Sequence, residues 1–129
     1  MASILVVEDE PIAGMEMQEC LERMGHRVPA IVDSADAVLY AALTHKPDLV
    51  IMDINLKSFS DGVDAAARLR MLGDVPVIYL TAYPSQGGQD RALRTQPAAY
   101  LIKPVSDETL ARQVERALAL PRQGATERI

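Results

Sequence analysis

A chain of 129 residues with 49% hydrophobic side chains has room for one buried core and not for two. Its 13 basic and 18 acidic residues leave a net charge of −5, so it has no electrostatic reason to seek nucleic acid or an anionic membrane. The single cysteine, Cys20, excludes an internal disulfide, no apolar run is long enough to span a bilayer, and the start Met1-Ala2-Ser3 lacks the basic residues of a signal peptide; a cytoplasmic protein is expected.

The first apolar run, Ile4 to Val7, is followed at once by Glu8 and Asp9. Pro11 then suits the first turn of a helix over 11–24, with Gly25 where a C-terminal cap belongs. A second strand is expected over 28–32, with Ser34 as N-cap of a helix over 35–45. A third strand over 49–52 ends at Asp53, and a helix over 62–72 is closed by Gly73. A fourth strand over 77–80 ends at Thr81. A weak helix over 89–95 precedes a fifth strand over 98–102 that ends at Lys103. Ser106 caps the last helix, 107–119.

The strands are short, rich in Val, Ile and Leu, and without in-and-out alternation, which is the pattern of strands buried on both faces of a parallel sheet. Five βα units in succession imply an α/β domain with a doubly wound parallel sheet. A domain over 1–120 is expected, with 121–129, which carries Pro121 and Gly124, as a flexible tail. Cys20 and Met15, Met17, Met24, Met52 and Met71 read as core or half-buried filler. His26 and His45 read as solvated helix caps. Phe59 either packs locally or meets a partner.

Open α/β sheets bind ligands at the carboxyl ends of their strands. Glu8, Asp9, Asp53, Thr81 and Lys103 all fall there. Each alone is weak, since an acidic pair after a strand is most often a solvated turn and a lone lysine a surface charge. Together they form a site. Crowded carboxylates call for a cation, and hard oxygen donors favour Mg²⁺ or Mn²⁺ over zinc. Asp53 can then attack phosphorus as a nucleophile, with Lys103 stabilising phosphoryl charge and Thr81 donating a hydrogen bond to a phosphoryl oxygen.

The stretches ILVVEDEP, DLVIMDINL, Asp61-Gly62, VIYLTA and AYLIKP resemble the receiver family of two-component response regulators, over about residues 3–119 and in its single-domain type. The resemblance implies the flavodoxin-like strand order 2-1-3-4-5. It implies Asp53 as phosphoacceptor, Asp9 as a direct metal ligand and Glu8 acting through a metal-bound water. It also implies Asn55 as a metal ligand through its backbone carbonyl, Thr81 and Tyr100 as the switch pair, and a cis Lys103–Pro104 bond. The implied phosphoryl donor is a sensor histidine kinase or a histidine phosphotransfer protein, and the output is a contact with a downstream protein. Such a chain is no conventional enzyme and catalyses only its own phosphorylation and slow dephosphorylation. The loop after Asp53 carries Lys57 where many receivers have proline and is one residue longer, and Tyr83 is bulky at a position that often tunes phosphoryl lifetime.

Three other functions fit the residues less well. A haloacid-dehalogenase-type phosphatase needs D-x-D-x-T after its first strand, where this chain has Glu8-Asp9-Glu10-Pro11-Ile12. A flavodoxin needs a Ser/Thr/Gly phosphate cradle there, and two carboxylates repel phosphate. A pseudo-receiver that only docks proteins would lack Asp53, Asp9 or Lys103, and none is lost. Finally, residues 84–96 are expected to be the least stable part of the fold. Gly87 and Gly88 weaken the helix, Pro97 biases Gln96 away from helical angles, and Ala92 and Leu93 are the only apolar side chains there.

Overall fold

The computed structural model describes residues 1–54, 62–82 and 86–120. Five strands alternate with five helices: β1 (Ile4–Val7), α1 (Pro11–Arg23), β2 (Ile31–Val32), α2 (Ala35–His45), β3 (Leu49–Asp53), α3 (Gly62–Leu72), β4 (Val77–Thr81), α4 (Gln86–Leu93), β5 (Ala99–Ile102) and α5 (Asp107–Ala119). All neighbouring strands pair in parallel, in the order β2-β1-β3-β4-β5. This is the doubly wound α/β architecture expected from the alternation.

β1, β3 and β4 are buried along their whole length, which explains their unbroken apolar runs. Their alternate side chains feed two cores. Leu5, Val7, Val50, Met52 and Tyr79 pack with Val38, Leu69 and Ala92 on one face. Ile4, Val6, Ile51, Ile78 and Leu80 pack with Cys20, Leu21, Leu110 and Val114 on the other.

The caps fall largely where the sequence puts them. Ser34 accepts from the Ala37 N–H at 3.3 Å and Ser106 from the Thr109 N–H at 3.1 Å, and Gly25 takes φ +94° after α1. Gly73 takes no left-handed angle, and its N–H still donates to Leu69 at 3.1 Å. Lys46, at φ 47°, closes α2 instead of a glycine.

Several expectations need correction. The second strand is two residues long rather than five, because Arg27 pairs with Ser3 but Ile31 with Val6, so four steps along this segment meet three on β1 and one residue is left over between them. The backbone bonds from Ile4 to Arg27 and from Glu8 to Val32 flank that mismatch. α4 spans Gln86–Leu93 rather than 89–95, so both glycines lie inside it. Gln86 bonds Asp90 one turn on, at 3.0 Å. The end comes early because the N–H groups of Thr95 and Gln96 turn back to Ala92 and Leu93 at 3.1 and 3.0 Å, leaving Gln96 at φ 56°. Met15 and Met71 are exposed rather than core. His26 is buried rather than a solvated cap: its Nδ1 accepts the Ala2 N–H at 3.1 Å. The tail 121–129, Asn55, Lys57, Phe59, Asp61 and Tyr83 lie outside the described residues.

Candidate functional site

The parallel ladder brings the strand ends together. Asp53 pairs with Leu80, and Thr81 pairs with Ile102, so the third, fourth and fifth strands finish side by side. Two backbone bonds extend the ladder into the loops: Ile54 N–H to Leu80 at 3.2 Å and Lys103 N–H to Thr81 at 2.8 Å. Glu8 and Asp9 follow β1 beside them, Glu8 anchored through its N–H on Val32.

At this edge the Lys103 Nζ donates to Asp53 Oδ2 at 2.8 Å, a short charge-assisted bond, and lies 3.5 Å from Glu8 Oε1. Asp53 and Thr81 are buried. Side-chain oxygens of Glu8, Asp9 and Asp53 lie within 4.8 Å of one another. The Glu8 side chain is 9% exposed, and its other oxygen accepts the Glu10 N–H at 3.2 Å. Burial, and then the charge of Asp53, push the Glu8 carboxyl above its ordinary pKa, against the pull of Lys103. Burial works against the Lys103 charge too, but the bonds and charges of Asp53 and Glu8 outweigh it and hold the ammonium above its ordinary value. The Lys103–Pro104 bond is cis.

Among the described residues, three carboxylates face one ammonium here. The excess of hard oxygen donors, and the resistance of Glu8 to ionising beside Asp53, fit a divalent cation such as Mg²⁺ among them. The spacing lets each residue offer one oxygen to a common point.

The chain matches the family model of the response regulator receiver domain over residues 4–115. It belongs to the response regulator receiver family. This receiver is 34% identical over 116 residues to the phyllosphere-induced regulator PhyR of Methylorubrum extorquens, covering 89% of this chain and 43% of that protein. It is 33% identical over 116 residues to the transcriptional regulatory protein PdtaR of Mycobacterium tuberculosis, covering 90% and 56%. The receiver chain thus spans about half the length of these two relatives. With protein PilH of Pseudomonas aeruginosa it shares 33% identity over 122 residues, 92% of this chain and 99% of that one. Among solved structures, the signal receiver domain of a modulated diguanylate cyclase from Desulfovibrio desulfuricans superposes with a TM-score of 0.85 at 34% identity, over 92% of this chain and 94% of that one. Receivers are signalling modules of two-component systems that typically bind Mg²⁺ at an acidic site, and Glu8, Asp9 and Asp53 are the acidic cluster of this one. No helix among the described residues is long and apolar enough to cross a membrane.

Of the two residues expected to form a switch pair, Thr81 is buried at the site and Tyr100 packs partly buried against the core on the α3 and α4 face of the sheet. One further residue in this region does not stand out in the sequence. Tyr79 lies fully buried in β4, two residues before Thr81 and therefore on the same face. Its hydroxyl is bonded to Thr95 at 2.7 Å. A tyrosine among Val77, Ile78 and Leu80 is the available signal, because a buried phenol needs a partner.

Proposed function

We propose that this receiver is a phosphorylation switch in which Asp53 accepts a phosphoryl group from a phosphohistidine of a sensor kinase or histidine phosphotransfer protein. The observation that carries this reading is the Lys103 ammonium 2.8 Å from Asp53 beside two further carboxylates. An oxygen of Asp53 attacks phosphorus, the phosphorus–nitrogen bond of the donor breaks, and the imidazole leaves with the electron pair. An acyl phosphate on Asp53 results. Lys103 moves its hydrogen bond from the carboxylate to a phosphoryl oxygen, where it counters charge in transfer. Thr81 donates its hydroxyl proton to a second phosphoryl oxygen. Glu8, Asp9 and Asp53, with Asn55, would hold Mg²⁺ or Mn²⁺. Bound there, the cation would offset the crowded carboxylates and the charge on the phosphoryl group.

Hydrolysis of the acyl phosphate resets the switch, so the only chemistry of this chain is on itself. The signal leaves as a changed protein contact, with Thr81 and Tyr100 as the residues that change place. A net charge of −5 supports a protein rather than a nucleic acid as the partner of this domain. A domain over 1–120 contains every group this reading uses.

Incubation with a small phosphodonor and Mg²⁺ is expected to add one phosphoryl group, labile as an acyl phosphate, seen by intact mass. Asp53→Asn is expected to take up none, and equal labelling of that variant would overturn the assignment.

A further inference from the structure

We propose that Tyr79 is a positioning residue that couples the phosphorylation site to α4, through a hydroxyl chain from Tyr79 to Thr95 to the Ala92 carbonyl. The proposal rests on the reading of Asp53 as phosphoacceptor.

The chain has a direction. The Thr95 hydroxyl has one proton, and it goes to the Ala92 carbonyl at 2.7 Å, which can only accept. The bond of 2.7 Å between the Tyr79 and Thr95 hydroxyls must therefore use the Tyr79 proton. A residue in the middle of β4 thus reaches across the core and closes the last turn of α4.

That closure matters because, among the described residues, α4 buries little apolar side chain. Ala92 is its buried side chain, and Leu93 is 48% exposed. With two glycines in eight residues, a helix of this length does not hold by propensity. Just past Thr95, Gln96 takes a left-handed φ of 56° and turns the chain into Pro97 and β5. The hydroxyl chain therefore sits between the weak helix and its turn.

The same ring braces Tyr100. The two residues are ladder partners on neighbouring strands, and their rings meet edge to face, centroids 6.4 Å apart at 66°. Among the described residues the buried Tyr100 hydroxyl has no hydrogen-bond partner. The edge-to-face contact with Tyr79 is therefore part of what positions that side chain. Thr81, which has to reach a phosphoryl oxygen, lies two residues along the same strand and on the same face. A shift at Thr81 is thus carried along β4 to the hydroxyl that holds α4 and to the ring that braces Tyr100.

The test is hydrogen exchange on the full chain with Mg²⁺, with and without beryllofluoride, for the wild type, Tyr79→Phe, Thr95→Val and Thr95→Ser. In the wild type, beryllofluoride is expected to change exchange over 86–95. In Tyr79→Phe and Thr95→Val, that segment is expected to exchange at least threefold faster without beryllofluoride and to lose most of its response, while α5 keeps its protection. Both variants are expected still to take one phosphoryl group from a small donor. Thr95→Ser, which keeps the hydroxyl, is expected to restore the wild-type response. A wild-type response in Tyr79→Phe, or a failure of Thr95→Ser to restore it, overturns the proposal. Loss of phosphoryl uptake in the wild type itself would instead strike the Asp53 reading, and the faster basal exchange in the two variants would still decide whether the hydroxyl chain holds α4. If Tyr79→Phe loosens α5 as well, the decision falls to Thr95→Val: unchanged exchange over 86–95 there overturns the proposal.

Discussion

Glu8 carries its charge against the pull of its surroundings. Its side chain is 9% exposed beside Asp53, and Lys103 spends its short bond on Asp53. A carboxyl whose pKa is raised by folding is stabilised in its neutral form. That stability is complete below the ordinary value of 4.5 and is lost as pH rises through the raised value. Glu8→Gln removes the loss. In Mg²⁺-free buffer it is expected to stabilise the fold at neutral pH by roughly 0.5–2 kcal/mol, the range that charge optimisation commonly delivers. The gain is expected to vanish below the ordinary carboxyl range. Urea denaturation at pH 7 and pH 3.5 checks both, and a gain that persists at the lower pH would put its origin in packing rather than charge.

At the scale of elements, two glycines answer the same substitution in opposite ways. A Cβ on Gly87 in α4 meets nothing within 4 Å among the described residues, so Gly87→Ala is expected to stabilise by about 0.5–1 kcal/mol through helix propensity alone. Gly14 lies where α1 crosses β2, and a Cβ there comes within 3.1 Å of Ile31 Cγ2. That carbon is fixed to a branched Cβ and yields little, so Gly14→Ala is expected to destabilise by about 1 kcal/mol, overpacking outweighing propensity. Thermal melts of the two variants give the signs. A gain at Gly87 would also show that α4 was left weak at a site where sequence could have made it stronger, as a switching element requires.

At the scale of the whole molecule, a cation bound at the acidic cluster would tie stability to its concentration. A ligand that binds only the folded state stabilises by RT ln(1 + [L]/Kd), about 2.7 kcal/mol at one hundred times Kd. Millimolar Mg²⁺ is therefore expected to raise the melting temperature, and Asp9→Ala to abolish most of that rise, more so than Glu8→Ala. Differential scanning calorimetry decides it, and a melting temperature indifferent to Mg²⁺ would count against the cation site. Five βα units, the class of the fold and the candidates Glu8, Asp9, Asp53, Thr81 and Lys103 were all legible in the sequence. Parallel strands buried on both faces write themselves as unbroken apolar runs, and parallel topology sends every strand end to one edge. Ser34 and Ser106 were legible for a related reason, since capping is a local bond within four residues. What lay beyond reach was set by partners distant in the chain. Burial of His26 depends on Ala2, 24 residues away, and exposure of Met71 on what the end of α3 happens to face. α4 begins at Gln86 with both glycines inside it, a start that local propensity disfavours. The 2.8 Å contact of Lys103 with Asp53 and the reach of Tyr79 to Thr95 likewise exist only once β3, β4 and β5 lie side by side. Periodicity and local propensity determined which elements form and which edge holds the chemistry. Only the packing of those elements decided distances, burial and which hydroxyl meets which, because those depend on atoms that sequence separation keeps apart.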